Sequence, residues 1–155
     1  MKSIRIYCKN DGLYHDVPKG ATLEEVYETL ELNLPCCVTS CKVNNRVEGL
    51  HYTINDSRDL EYLTLASPSG LRTYTRSLFF VLYKAVRDLY PEAELRIGTP
   101  VAGGYFCRLA LPGGITPEVP ERLRRRMAEI VASDLPFRRV TAHTTDAIEV
   151  FRRQG

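Results

Sequence analysis

Apolar and polar residues alternate at the start of the chain. Ile4, Ile6 and Cys8 are interleaved with Ser3, Arg5 and Tyr7, the period of a half-buried β-strand. Asp11-Gly12 is a hairpin turn signal, so a second strand over 13–17 is expected to pair with the first. Thr22-Leu23-Glu24-Glu25 then reads as a capping box. Leu23, Val26, Leu30 and Leu34 follow at helical spacing until Pro35 stops them, which predicts a helix over about 23–32. Two more strands are expected over 37–43 and 60–65, separated by polar turns at Asn44-Asn45 and Asn55-Asp56.

A different pattern begins after Ser67-Pro68-Ser69-Gly70. Leu78, Leu82, Ala85, Val86 and Leu89 recur three and four residues apart, predicting a helix that ends before Pro91. Residues 95–97 and 105–111 are strand-like, and Pro112-Gly113-Gly114 is the turn after them. Pro117 suits the first turn of another helix, over about 118–134, whose apolar stripe is Val119, Leu123, Met127 and Ile130. A short strand over 137–141 and a last helix, opened at Asp146 and closed by Gly155, complete the expectation.

The order strand, strand, helix, strand, strand is that of a small β-grasp fold, so the chain is expected to be α+β in two parts. Pro, Gly and Ser break both regular structures. The expected division is therefore 1–66, a linker at 67–70, and 71–155. Charge supports it: residues 1–66 hold seven Lys/Arg against ten Asp/Glu, whereas residues 67–155 hold fourteen against nine. Sixteen of the twenty-one basic residues are Arg, the side chain suited to bidentate phosphate contacts, and Arg138, Arg139, Arg152 and Arg153 add to the basic last third.

The five cysteines are odd in number, and two of them, Cys36 and Cys37, are adjacent. That is a poor disulfide framework and points to a reducing cytoplasm. Met1-Lys2-Ser3-Ile4-Arg5-Ile6 places charge inside the first apolar stretch, and no run of 18 apolar residues follows, so no membrane partner is expected. Cys36, Cys37 and Cys41 have no usual zinc-ligand spacing, and His15, His51 and His143 stand at no helical ligand interval; no metal and no cofactor are expected. On the helix over 118–134, Arg122, Arg125 and Arg126 are placed beside the apolar stripe, where three guanidiniums could follow an RNA backbone. Glu118, Glu121 and Glu129 on the same helix offer the competing reading of a solvated, internally paired face.

Two groups of segments resemble known families. Residues 17–25 (Val-Pro-Lys-Gly-Ala-Thr-Leu-Glu-Glu), with Cys41-Lys42-Val43-Asn44-Asn45-Arg46 and Asp59-Leu60-Glu61, resemble a TGS domain, the ubiquitin-like β-grasp module. Leu89-Tyr90-Pro91, Leu95-Arg96-Ile97-Gly98, Gly104-Tyr105-Phe106, Leu135-Pro136-Phe137 and the run 147–151 resemble the threonyl/alanyl-tRNA synthetase editing domain, which follows TGS in threonyl-tRNA synthetase. That domain would be cut short at its C-terminal side. Its family carries an H-x-x-x-H motif on the first long helix, and alignment through Leu89-Tyr90-Pro91 puts Arg76 and Phe80 at the two histidine positions. Arginine is no base at neutral pH and phenylalanine carries no titratable proton. The family's acidic residue after the glycine-aromatic segment is matched by Arg108.

The same pair of modules is similar to the amino-terminal region of bacterial uridine-kinase-like proteins. The resemblance therefore implies a non-catalytic accessory or regulatory region of an ATP-dependent nucleoside kinase, whose kinase domain is not in this chain: no Walker A lysine follows Gly98–Gly104. Its expected partners are tRNA or another RNA, a nucleotide, or the parent's own catalytic domain. Two alternatives remain: the amino-terminal part of a threonyl-tRNA synthetase with a degenerate editing site, and a stand-alone TGS adaptor.

Overall fold

The computed structural model describes residues 2–138 and 140–154. Met1, Arg139 of the basic cluster, and Gly155, read as the stop of the last helix, lie outside them. The architecture is α+β. Strands β1 (Ser3–Cys8), β2 (Leu13–Pro18), β3 (Val38–Val43), β4 (Arg46–Glu48) and β5 (Asp59–Thr64) form one sheet in the order β2-β1-β5-β3-β4, with β1 and β5 parallel at its centre. This is the ubiquitin-like β-grasp arrangement.

Helix α1 (Leu23–Leu30) crosses one face of that sheet. Its capping box is complete: the Glu25 N–H donates to Thr22 Oγ1 at 3.2 Å, and the Thr22 N–H donates to Glu25 Oε2 at 2.8 Å. It ends two residues before the expected limit because Glu31 turns left-handed (φ 48°). The alternation seen in the sequence supplies the core: Ile6 and Cys8, Val17, Cys41 and Val43, and Leu60 and Tyr62 face Leu23 and Val26 of the helix, with Ile54 closing one end. The Tyr62 hydroxyl donates to the Leu23 carbonyl at 2.8 Å, so the one polar atom of that buried ring is satisfied. Asn10 continues the sheet with its side chain, accepting from the Tyr62 N–H at 2.7 Å and donating to the Tyr62 carbonyl at 3.0 Å.

Strand β4 was not expected. Asn44 and Asn45 both adopt positive φ (46° and 70°), the geometry of a two-residue hairpin turn, and fold Arg46–Glu48 back on β3. The run is only three residues long and carries no clear alternation, so its pattern alone was silent.

The expected linker is the start of helix α2 (Pro68–Leu89). Ser67 caps it, its Oγ accepting from the Gly70 N–H at 3.1 Å, and Pro68 sits in the first turn, where a missing N–H costs nothing. The residues that read as breakers are helix-start residues. Gly70 packs so closely on β5 that a Cβ would lie 2.1 Å from the Thr64 carbonyl oxygen. The Thr39 hydroxyl donates to the Gly70 carbonyl at 3.2 Å, and the Thr73 hydroxyl reaches Ser40 Oγ at 3.4 Å. The start of α2 is thus fastened to β3 and β5.

The far part of α2 packs on α3 (Glu118–Ala132) and on β6 (Glu94–Val101), which pairs antiparallel with β7 (Gly104–Ala110) through an Ala102-Gly103 turn. Ala85 and Val86 of α2, Ala93, and Val119 and Ile130 of α3 are buried. The strand expected over 137–141 does not form: among its described residues none is in a strand. Helix α4 (Thr144–Gln154) begins two residues before Asp146. Much apolar surface in this second part stays open: Phe106 is 62% exposed and Phe151 70%, whereas the β-grasp core is sealed.

Candidate functional site

The middle of α2 holds the two positions where the resemblance would place imidazoles. Arg76 is exposed. Phe80 stacks edge-to-face on Phe137, with ring centroids 6.0 Å apart, and lines a cavity of about 450 Å³ between α2, α3 and residues 134–137. The cavity wall is apolar: Val81, Ile130, Val131, Leu135 and Pro136, with Tyr83, Lys84 and Asp134 as its ionisable groups. Lys84 is engaged with Asp88 at 3.1 Å. Among the described residues of the wall, none pairs a base with a second polar group that could hold a water for attack on an ester. Arg108 lies opposite Arg96 in the β6–β7 ladder, and Arg96 binds Glu94 at 2.7 Å.

The three α3 arginines part company. Arg126 is seven residues after Val119 and four before Ile130, so it stands at the edge of the buried stripe, with its side chain 34% exposed. Its guanidinium binds Asp88 of α2 and, at 2.8 Å, Glu129 of its own helix. The bond from Arg126 holds the Asp88 carboxyl below its ordinary range, and Glu129 and Asp88 together push the Arg126 pKa up. Arg122 lies over the Tyr90 ring, 5.3 Å from its centroid. Arg125 is exposed and enters no hydrogen bond or ion pair among the described residues. Arg124 is paired with Glu121 at 3.0 Å. Heptad spacing to Val119 was the available signal that Arg126 is a packing residue.

The aromatic residues of α2 divide similarly. Phe79 packs edge-on against Tyr105 of β7 at 4.9 Å, and Tyr90 is covered by Arg122. The cysteines do not converge: Cys8 and Cys41 are buried in the β-grasp core, Cys36 is half-buried in the segment before β3, and Cys37 and Cys107 are exposed. His15 binds Asp11 at 2.8 Å, and His51 lies 3.6 Å from Glu24. Among the described residues no cluster of three His, Cys, Asp or Glu side chains could hold a metal. No helix among them is long and apolar enough to cross a membrane.

A β-grasp sheet fastened to a long helix, on which a hairpin strand and α3 pack, defines the class: an α+β chain of the TGS-plus-editing-domain type. Its relatives agree with that. The chain is 32% identical to the threonine-tRNA ligase of Desulforamulus reducens over 151 residues, covering 97% of this chain and 24% of that enzyme. It is 30% identical to the threonine-tRNA ligase of Clostridium novyi over 152 residues (98% and 24%), and 28% identical to that of Symbiobacterium thermophilum over 155 residues (100% and 24%). The matched stretch is the amino-terminal region of those enzymes. The chain spans about a quarter of the length of the curated relatives it matches. No family model matches it. These relatives support the synthetase alternative and lend nothing to the kinase parent.

Proposed function

We propose that this chain is a non-catalytic, amino-terminal accessory region of a larger tRNA-synthetase-like protein, in which the editing scaffold serves contact with tRNA and with the rest of that protein. The carrying observation is the wall around Phe80. Where an editing site needs imidazoles to move protons, this chain has an aromatic pair and an apolar cavity. The open apolar surface of the second part, with Phe106, Val131, Val150 and Phe151 all more than half exposed, suits contact with further polypeptide. Arg125 and Arg122 supply two phosphate contacts, and Arg126 is a structural clamp.

The test is a deacylation time course with seryl-tRNA charged on threonine tRNA. No turnover above the spontaneous rate is expected, and turnover that survives repurification would overturn the reading. The parent is identified by the gene beyond Gly155. A class II synthetase core is expected on the strength of the relatives, and a Walker A lysine would instead restore the nucleoside-kinase parent.

A further inference from the structure

Helix α2 carries four basic residues, Arg72, Arg76, Lys84 and Arg87, against a single acid, Asp88. Lys84 and Arg126 take up that acid, and Arg87 donates to the Pro91 carbonyl at 2.9 Å. Arg72 and Arg76 face solvent one turn apart. The Arg72 guanidinium donates to Ser69 Oγ at 2.9 Å and forms no ion pair among the described residues. Arg76 enters no hydrogen bond or ion pair among them. Phe80 and Tyr83 follow Arg76 at intervals of four and three residues, so all four side chains share one ridge of the helix. Both rings are at least half exposed.

Two guanidiniums without an acid call for an anion, and their planar fork suits phosphate. Two aromatic rings in the next two turns call for flat faces to stack on them. A single strand of nucleic acid supplies both, because its phosphates and its unpaired bases repeat together along one chain. A duplex hides its base faces in its own stack, and an acidic peptide brings charge without the flat faces. We propose that the Arg72–Arg76–Phe80–Tyr83 ridge of α2 binds single-stranded RNA, the two arginines taking phosphates and the two rings taking base faces. This rests on the tRNA-contact reading and gives that contact a surface apart from the α3 arginines. Glu92 and Glu94 stand near Tyr83 and Arg87 in the cleft at the end of α2, so the path of the strand stops at Tyr83. From Arg72 to Tyr83 the ridge is about 16 Å long, which limits the contact to a few nucleotides. None of the four groups reads a chain end or a base edge, so the body of a strand is bound, with little regard to sequence.

The test follows the anisotropy of a short labelled oligoadenylate on the intact chain, as a single strand with a free or a phosphorylated 3′ end and as a duplex with oligouridylate, with polyglutamate as competitor. Both single strands are expected to bind alike, the duplex more weakly, and polyglutamate to compete poorly. Tyr83→Ala should weaken the single strand about tenfold, the scale of one stacked base, and leave the duplex unchanged. Tyr83→Phe, which keeps the ring, should bind as the parent does. Arg72→Gln with Arg76→Gln should flatten the log-log salt slope by about 1.4, for two phosphates on a single strand, at an unchanged melting temperature. A duplex bound as tightly as the single strand, full displacement by polyglutamate, or a requirement for a free 3′ end would overturn the proposal. Binding of tRNA that is indifferent to these α2 variants would overturn it alone and leave the accessory-region reading standing. No binding of oligoadenylate or tRNA at low salt would overturn both the ridge and the tRNA contact.

Discussion

Arg126 of α3 grips Asp88 of α2 through two hydrogen bonds to one carboxylate oxygen, from Nε at 3.0 Å and from Nη2 at 2.8 Å. Lys84 reaches the same carboxylate at 3.1 and 3.2 Å, so one acid on α2 gathers two cations and ties the two helices together. An arginine that could serve a nucleic-acid backbone is thereby committed to the fold. The depressed Asp88 pKa means that the folded state favours the carboxylate. This contribution is fully present above the ordinary value of 3.8 and is lost as pH falls through the lower folded-state value. Asp88→Asn is expected to lower the melting temperature at pH 7 and to have less effect near pH 3. A double-mutant cycle with Arg126→Gln should give non-additive losses, and additive ones would mean that the contact carries no coupling.

Gly70 is a second point of attachment. Alanine in a helix gains up to about 1 kcal/mol over glycine from propensity alone. Here the new Cβ would meet the Thr64 carbonyl at 2.1 Å, and that neighbour is backbone. The clash wins: Gly70→Ala is expected to destabilise by at least about 2 kcal/mol, measured by denaturant titration. For the same reason early proteolysis should spare 67–70 and cut after α3, where residues 135–138 lie outside helix and strand.

The β-grasp core should fail at alkaline pH. Burial pushes the Cys41 thiol up to about 12 from 9.0, and burial also raises Cys8 and Tyr62. Unfolded thiols lose their protons near pH 9 while the folded ones keep theirs, so the unfolded state is favoured progressively from about pH 9 toward 12. Near-ultraviolet circular dichroism against pH should show this loss, and Cys41→Ala should flatten the slope while lowering stability at pH 7.

Cys36 behaves oppositely. A hydrogen bond with the Thr64 hydroxyl, followed by one from the Ala66 N–H, lowers its pKa. Iodoacetamide at pH 7.5 (an assay condition of about that value) should label Cys36 ahead of the more exposed Cys37 and Cys107, and leave Cys8 and Cys41 unlabelled in the folded chain. Thr64→Val should slow the Cys36 reaction specifically, as followed by peptide mass spectrometry.

RNA binding, if it runs along α3, has two guanidiniums to use, Arg122 and Arg125. The salt dependence of tRNA affinity should have a log-log slope of roughly -1.4 for two contacts on single-stranded RNA. Arg125→Glu should weaken binding without changing the melting temperature, whereas Arg126→Glu should lower the melting temperature itself. A slope of zero in filter binding would remove RNA from the partners of this face.

Local pattern alone determined much of this chain. Period-two alternation in β1 and the capping box at Thr22 are satisfied within a few residues, so they could be read without knowing what packs on them. The three- and four-residue spacing of Leu78, Leu82, Ala85, Val86 and Leu89, and of Val119, Leu123, Met127 and Ile130, likewise marked two helices, in which Ala85, Val86, Val119 and Ile130 are the buried members. Tertiary structure decided the rest, because each remaining choice rests on a distant neighbour. Ser67-Pro68-Ser69-Gly70 is equally good chemistry for a loop and for a helix start, and the Thr64 and Thr39 contacts across the sheet select the helix. Arg46–Glu48 becomes a strand only because β3 offers it an edge. Arg126 turns from a surface charge into a clamp because Asp88, 38 residues away, stands opposite it.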